Sequence, residues 1–211
     1  SWQRSYYQQI EHLIHPGDVI AFSGSAIQSD LVRKLTSSNI SHVGIVLSSK
    51  NSSLNGCDDG GYNHLIESTN LEGFTGVVVN KLCDRIEEYN GDIWWLPLSE
   101  DSRTKANTAR MFDFLSQQKG KEYDYAQAVM SAIDYGAITQ NKEDFTKFFC
   151  SELVCAGLKE AGVLPVDNAS EVTPIDVCRF NIFADEYHQL KGDKREFEGY
   201  NQINPYEFIG Y

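Results

Sequence analysis

One stretch of the chain combines a cysteine with helical periodicity: Phe148-Phe149-Cys150-Ser151-Glu152-Leu153-Val154-Cys155. From Cys150 onward, apolar residues recur every three or four positions, which predicts a helix that begins at this cysteine and ends at Gly162. The N-terminus of a helix stabilises an anion, so a thiol placed there ionises more readily and is a candidate nucleophile. The alternative is that Cys150 packs as a small buried hydrophobe, as most unpaired cysteines do.

The composition is that of a folded, acidic protein. With 211 residues, 41% of them hydrophobic, the chain is long enough for one domain with a substantial core, and we treat residues 1–211 as that domain. The net charge of −12 argues against nucleic acid or an anionic membrane as a partner. No apolar run is long enough for a transmembrane segment, and the first residues lack a signal-peptide core. We expect a soluble protein, either cytoplasmic or exported with its leader removed; the oligomeric state stays open.

The cysteines and histidines do not form a recognisable metal site. Five cysteines cannot form a complete disulfide framework, and they contain no C-x-x-C pair. The closest histidines are His12 and His15, which are too few for a zinc site without further ligands. The glycine patterns that bind phosphate or dinucleotides are also absent. The sequence therefore predicts neither a metal nor a cofactor.

Two predicted strands carry residues that can support a nucleophile. Residues 40–47 form a β-branched strand in which His42 and Gly44 share one face, so the missing side chain at Gly44 leaves room beside the imidazole. Residues 64–68 form the next strand, and Glu67 is the one acidic residue in it. A buried carboxylate needs a partner, which an imidazole on the adjacent strand would provide. Taken alone, however, His42 is better explained as a hydrogen-bonded structural histidine.

The order of the predicted elements indicates an α+β domain. Strands dominate the first half, helical periodicity dominates the second, and the short spacing of the strands predicts an antiparallel sheet or small barrel packed against helices. Asp18, in a turn before the first of these strands, is expected to organise that turn. Thr173 and Pro174 have the pattern of an N-cap and a first helical residue. The predicted strands cover residues 19–22, 40–47, 64–68, 75–80 and 93–98, and residues 180–190 are a further candidate strand. The predicted helices cover residues 104–119, 125–136 and 150–162, with helical character also at residues 30–35. Residues 1–15 are predicted to form a short helix or arm, and residues 139–147 a polar loop.

A cysteine, a histidine and a carboxylate together suggest cysteine-dependent acyl transfer. In that chemistry the imidazole takes the thiol proton, the carboxylate orients the imidazole, and backbone N–H groups at the helix start stabilise the oxyanion. The chain order here is His42, Glu67, Cys150, whereas papain-like enzymes normally have the cysteine before the histidine. The order suggests a circular permutation of the same geometry.

With these residues in place, the sequence resembles the permuted papain-fold amidases of the NlpC/P60 superfamily, a cysteine peptidase family of the YiiX and YaeF type. The resemblance implies a circularly permuted papain-like fold, with Cys150 as nucleophile, His42 as base and Glu67 as the orienting residue. It also implies that Tyr123 helps to form the oxyanion site. The matching motifs, in chain order, are Gly17-Asp18-Val19-Ile20, Ser41-His42-Val43-Gly44-Ile45-Val46, His64-Leu65-Ile66-Glu67-Ser68, Gly120-x-x-Tyr123-Asp124, Phe149-Cys150-Ser151-Glu152-Leu153 and Thr173-Pro174.

Three functions follow from this resemblance. The first is hydrolysis of an amide, in a cell-wall-type peptide or an N-acyl amino compound, through a thioester on Cys150. The second is lipid acyl transfer or thioester hydrolysis, as in the related lecithin–retinol acyltransferase group. The third is a non-catalytic binding module that keeps the fold. The substrate would be a small peptide, an amino-acid-containing compound or an acyl compound. The insert at residues 48–61 and the aromatic tail at residues 200–211 are not assigned to any part of the family pattern.

Overall fold

The protein is built on one open seven-stranded sheet with helices packed against it. The computed structural model describes residues 1–24, 40–49, 63–71, 73–122, 142–165 and 172–208. The strands are β1 (Trp2–Arg4), β2 (Val19–Gly24), β3 (His42–Ser49), β4 (Asn63–Leu71), β5 (Phe74–Lys81), β6 (Gly91–Leu96) and β7 (Tyr187–Lys191). Their order across the sheet is β1-β7-β6-β2-β3-β4-β5.

All neighbouring strands in the sheet are antiparallel except one pair at an edge. β1 lies parallel to β7, with Trp2 opposite Tyr187. The two edge strands of the sheet, β1 and β5, do not pair with each other, so the sheet is not closed into a barrel. The predicted α+β fold is confirmed, and of its two predicted forms the structure has the open sheet. Parallel strands need a long connection, and this pair joins two distant parts of the chain.

The helices are α1 (Tyr7–Ile10), α2 (Leu82–Glu88), α3 (Glu100–Lys105), α4 (Thr108–Gln118), α5 (Lys142–Glu160) and α6 (Pro174–Arg179), with 3₁₀ turns at Glu11–Leu13 and Pro205–Glu207. Helix α5 packs on β3 and β4, with α4 and α6 beside it. Its residues Cys150, Val154 and Leu158 join Val43 and Ile45 of β3 in one apolar cluster. A second cluster, which includes Phe22, Leu65 and Leu82, contains the inner residues of α1 and α2.

Helix α5 corrects the predicted position of Cys150. The helix begins at Lys142, so Cys150 is its ninth residue and does not lie at the N-terminus. The polar residues before Cys150 suggested a loop, but Lys142 and Glu143 are good helix formers and continue the helix toward its start. The macrodipole acts within the first turn, so it does not activate a thiol at this depth. Any activation of Cys150 must come from side chains.

Two other predictions about helices had different outcomes. The capping pattern at Thr173 is confirmed, because its side chain accepts a hydrogen bond from the N–H of Asp176 and Pro174 is the first helical residue. The single helix predicted over residues 104–119 is instead two helices, α3 and α4. They separate because Asn107 accepts a hydrogen bond from the N–H of Arg110 and thereby caps a new helix.

The aromatic tail covers the core as far as the structure describes it. Tyr200 lies 4.5 Å from Tyr187, between ring centroids, and Phe208 lies 5.3 Å from Phe180. The tail therefore closes the apolar cluster beside α6. The last three residues of the tail, the predicted helix 125–136 and the helical stretch at residues 30–35 lie outside the described residues, as does the 48–61 insert apart from its first two residues, which end β3.

Candidate active site

His42 lies at the first position of β3, opposite Phe22 of β2. Its Nε2 is 2.8 Å from Oε1 of Glu67, which lies on the neighbouring strand β4. The two rings of His42 and Phe22 are 5.1 Å apart, between centroids, and this contact helps to hold the imidazole in place. With Nε2 engaged by the carboxylate, Nδ1 is the ring nitrogen that remains to exchange a proton with a thiol.

Glu67 is fully buried and accepts hydrogen bonds from three side chains. Besides His42, the guanidinium of Arg85 donates to both carboxylate oxygens, with Nε 2.9 Å from Oε2 and Nη2 2.9 Å from Oε1. Nδ2 of Asn80, on β5, is 3.2 Å from Oε2. A buried carboxylate is tolerated when its charge is paired and its lone pairs are satisfied, and this one meets both conditions.

Cys150 interacts directly with His42. Burial lowers the pKa of His42, but the electrostatic influence of Cys150 and a hydrogen bond with it, together with the hydrogen bond and charge of Glu67, raise it to about 9. The imidazole therefore lies between Cys150 and the Glu67 carboxylate, and both partners favour its protonated form. A thiol, an imidazole and a carboxylate in contact form a candidate set for nucleophilic catalysis.

The influences on the pKa of Glu67 act in the directions opposite to those on His42. Burial raises its pKa, whereas the hydrogen bond and charge of His42, followed by those of Arg85, lower it to about 2. The carboxylate is therefore ionised throughout the neutral range. It can hold the imidazolium without taking its proton.

The other buried thiols lack this environment. Burial raises the pKa of Cys155 and of Cys178 well above the usual thiol range, so both remain protonated. Cys155 is the fourteenth residue of α5 and belongs to the same apolar cluster as Cys150. Among the described cysteines, Cys150 is thus distinguished by its histidine partner. Cys57 lies outside the described residues.

Asp18 belongs to a separate buried network at the opposite end of β2 and β3 from His42. Its carboxylate accepts hydrogen bonds from the N–H of His15, from Nε1 of Trp95 and from the N–H of Leu98, at 2.9, 3.0 and 3.0 Å. Nη2 of Arg103 also contacts both oxygens, at 3.1 and 3.0 Å. These contacts join the turn before β2 to β6 and α3, which is the organising role expected of Asp18.

The sequence interpretation missed Arg85 and Asn80. Arg85 lies on α2 between Leu82 and Ile86, and an arginine among apolar residues at helical spacing is a sign of a buried cation. That sign was available in the sequence. Tyr123 lies just beyond the described residues, which end at Glu122 in this part of the chain, so its predicted role stays a prediction.

Two further properties concern only the residues that the structure describes. Among them, no three side chains of His, Cys, Asp or Glu are grouped so as to hold a metal ion. The helices in these ranges are all too short or too polar to cross a bilayer.

Comparison with known proteins gives a distant structural likeness. No protein-family model matches the sequence, and no curated protein matches it. Among solved structures, the chain is similar to the metalloprotein YiiX from Escherichia coli O157:H7, with 18% identity and a TM-score of 0.43. The alignment covers 70% of this chain and 66% of that protein. A likeness this distant assigns neither an activity nor a metal to the present chain.

Proposed function

We propose that the protein is a cysteine-dependent hydrolase that cleaves an amide bond through a thioester on Cys150. One observation carries the proposal: His42 lies between Cys150 and Glu67, and its pKa is raised to about 9 by both partners despite burial. The substrate class that we propose is a cell-wall-type peptide or an N-acyl amino compound, which matches the permuted papain-like family that the motifs resemble.

The first chemical step forms the thioester. The Cys150 thiolate attacks the carbonyl carbon, a C–S bond forms, and the carbonyl electron pair moves to oxygen. When the tetrahedral intermediate collapses, the C–N bond breaks and the imidazolium of His42 gives its proton to the departing amine. Bond formation to sulfur removes the negative charge that raises the His42 pKa, so the proton leaves the imidazole as the thiolate is consumed.

The second step releases the acid. Neutral His42 takes a proton from water, and the water oxygen attacks the thioester carbon. The C–S bond then breaks, the thiolate leaves, and the ion pair with His42 is restored. Glu67 keeps the ring in one orientation through both steps because its carboxylate stays ionised.

The oxyanion site is part of the proposal. Because Cys150 is interior to α5, its backbone N–H is in a position that helices use for their own hydrogen bonds, so a helix-start oxyanion hole is not formed there. A donor from another part of the chain is needed. Tyr123 is the candidate that the family resemblance implies.

Access to the thiol is the second requirement. Cys150 has no exposed surface in this structure, and His42 retains 12% of its side-chain surface. A substrate therefore approaches from the side of the imidazole and must displace part of the cover over the sulfur. The rate at which a small electrophile reaches Cys150 measures how readily this happens.

The first experiment measures iodoacetamide labelling at each cysteine by mass spectrometry, across a range of pH, in the wild type and in His42→Ala. We expect fast labelling at Cys150 that slows at least tenfold in the variant, because the histidine holds the thiolate. Cys155 and Cys178 should label only after unfolding. Labelling of Cys150 that is unchanged by His42→Ala would remove His42 as the base.

The second experiment measures release of free amine from muropeptides and from N-acyl amino acids. We expect turnover that is lost in Cys150→Ala and kept in Cys155→Ala, a matched change on the same helix. Transfer of a labelled acyl chain from Cys150 to an alcohol or amine in preference to water would favour the acyltransferase alternative. A Cys150 that neither labels nor acylates would favour the binding module.

A further inference from the structure

Arg85 is part of the site but has no place in the family resemblance. Only 6% of the residue is exposed, and its guanidinium makes three hydrogen bonds to Glu67, at 3.2 and 2.9 Å from Nε and at 2.9 Å from Nη2. A guanidinium that binds both oxygens of a carboxylate fixes its plane as well as its position. The contact spans from α2 to β4, so two separate elements are joined at the carboxylate that holds His42.

Aromatic rings hold the guanidinium in place. Its central carbon lies 5.0 Å from the ring centroid of Phe22 and 5.5 Å from that of Tyr89, both within the range of cation–π attraction. Phe22 and Tyr89 also contact each other edge to face at 5.0 Å. Because Phe22 contacts His42 as well, the four residues His42, Glu67, Arg85 and Phe22 form a closed ring of contacts.

We propose that Arg85 is a positioning residue for this site: its guanidinium holds the Glu67 carboxylate in the one orientation that directs Nδ1 of His42 toward Cys150. This inference rests on the proposed function for its biological meaning. What it states physically is that Arg85 changes the pH at which Glu67, and through it His42, ionises. That coupling can be measured without a substrate.

Burial explains why Glu67 needs Arg85 in order to stay ionised beside His42. Glu67 is fully buried, and burial is the largest influence on its pKa and acts upward. Without Arg85, the carboxylate would take up a proton at a higher pH and would cease to pair with the imidazolium. Oε1 of Glu67 also accepts from both Arg85 and His42, so the guanidinium limits how strongly that oxygen draws the imidazole proton.

The titratable and charged groups around Glu67 come from several elements. They are His42 on β3, Arg85 on α2 and Tyr89, which follows α2; Cys150 on α5 acts through His42. Burial raises the pKa of Tyr89, which keeps this phenol neutral in the range of interest. The amide of Asn80 adds a hydrogen bond without charge. Arg85 is therefore the permanent cation among the described groups around Glu67.

The test follows the His42 ring by NMR in protein labelled with ¹⁵N-histidine, across every pH at which circular dichroism shows the fold intact. His42 is assigned by the loss of its signals in His42→Ala. Ionisation of Glu67 appears as a separate small step in the His42 shifts. In Arg85→Met we expect that step to move up by about 1 to 3 pH units, the range by which an arginine lowers a neighbouring carboxyl pKa.

Arg103→Met is the matched control, since Arg103 pairs with the buried Asp18 at the other end of β2 and β3. It should lower stability and leave the His42 titration unchanged. Arg85→Lys keeps the charge but loses the two-oxygen contact, so its shift should be smaller, and it serves as the test variant if Arg85→Met does not fold. The proposal would be overturned if Arg85→Met folds and the Glu67 step in the His42 shifts stays at its wild-type pH. If only Arg85→Lys folds, the same result in that variant would overturn it.

The hydrolase proposal and the positioning role of Arg85 can each be contradicted without the other. Absence of turnover in the wild type, with a shifted titration in Arg85→Met, would remove the hydrolase and keep the coupling. Normal turnover in Arg85→Met, with an unchanged titration, would keep the hydrolase and remove the positioning role.

Discussion

At the scale of single residues, His42 is governed by opposing influences of known direction. Burial lowers its pKa, while Cys150 on one side and the Glu67 carboxylate on the other raise it, and the influences that favour the protonated form prevail. The position of Glu67 could be predicted, because an acidic residue in an otherwise buried strand needs a partner and the adjacent strand offered an imidazole. Arg85 was harder to find, since it lies on a helix and its partner on a strand, so no pairing of neighbouring strands points to their contact.

The raised pKa of His42 predicts how stability depends on pH. A group whose pKa is higher in the folded state than in the unfolded state stabilises the fold while it is protonated. The contribution of His42 should therefore be fully present below pH 6.5 and be lost as the pH rises through about 9. Urea denaturation of the wild type should show stability falling over this window, and His42→Ala should lack that slope. Equal slopes in the two proteins would contradict the assignment.

The same titration sets the alkaline limit of activity. Donation of a proton to the departing amine requires the imidazolium, so turnover should fall about tenfold per pH unit above pH 9. The measurement is kcat against pH with a substrate found by the amine-release screen. A rate that stays level to pH 10.5 would show that His42 is not the acid.

At the scale of elements, the far edge strand of the sheet approaches the chain segment that leads to Tyr123. Gly76 of β5 forms a bridge with Glu122, and a Cβ at Gly76 would lie 2.2 Å from the backbone oxygen of Lys121. Only a glycine permits that approach. The missing side chain at Gly76 thus lets the backbone of Lys121 and Glu122 lie against β5.

Gly76→Ala tests this contact. The new methyl group must push residues 121 and 122 away from the strand, which should cost about 1–3 kcal/mol of stability. If Tyr123 stabilises the oxyanion, the substitution should also lower kcat by a larger factor than it changes KM. Urea denaturation and steady-state kinetics provide the two measurements. Gly73→Ala, in the preceding turn, meets no atom within 4 Å and should leave kcat unchanged despite the strain of its positive φ. Wild-type stability in Gly76→Ala would show that the segment is not held there.

Element boundaries were the weaker part of the sequence interpretation. β2 to β6 could be predicted from short β-branched or aromatic runs, because each pairs with a strand of similar pattern. The start of α5 could not, since a polar first half of a helix looks like a loop when its neighbours are unknown. β1 was missed for a related reason: three residues carry no periodicity, and their partner β7 is far away in the chain.

At the scale of the whole molecule, two buried ionic networks lie toward opposite ends of the central strands. The one at Glu67 belongs to the proposed chemistry, and the one at Asp18 joins the sheet to α3. Both bury a carboxylate completely and pair it with an arginine. Their separation lets stability and reactivity be altered independently.

Asp18→Ala should show this separation. It leaves the guanidinium of Arg103 and three N–H donors without their acceptor, which should cost about 3–5 kcal/mol, measured by urea denaturation. Where the variant remains folded, Cys150 should label with iodoacetamide at the wild-type rate. The control Asp101→Ala removes an exposed carboxylate and should leave the denaturation midpoint unchanged. A stable Asp18→Ala, or one with altered Cys150 labelling, would contradict the separation.

The parallel pairing of β1 with β7 also has a consequence for biosynthesis. Nε1 of Trp2 donates to Oε1 of Gln189, across 187 positions of sequence. On the ribosome, β2 to β6 are all made before residue 100 and can pair as they emerge, whereas β1 is synthesised first and has no strand to join until β7 appears. Until then, the near edge of β6 is left uncovered, and an uncovered strand edge is a site for mispairing with other chains. We therefore expect chaperone dependence and aggregation of nascent chains to be greatest between synthesis of β6 and synthesis of β7.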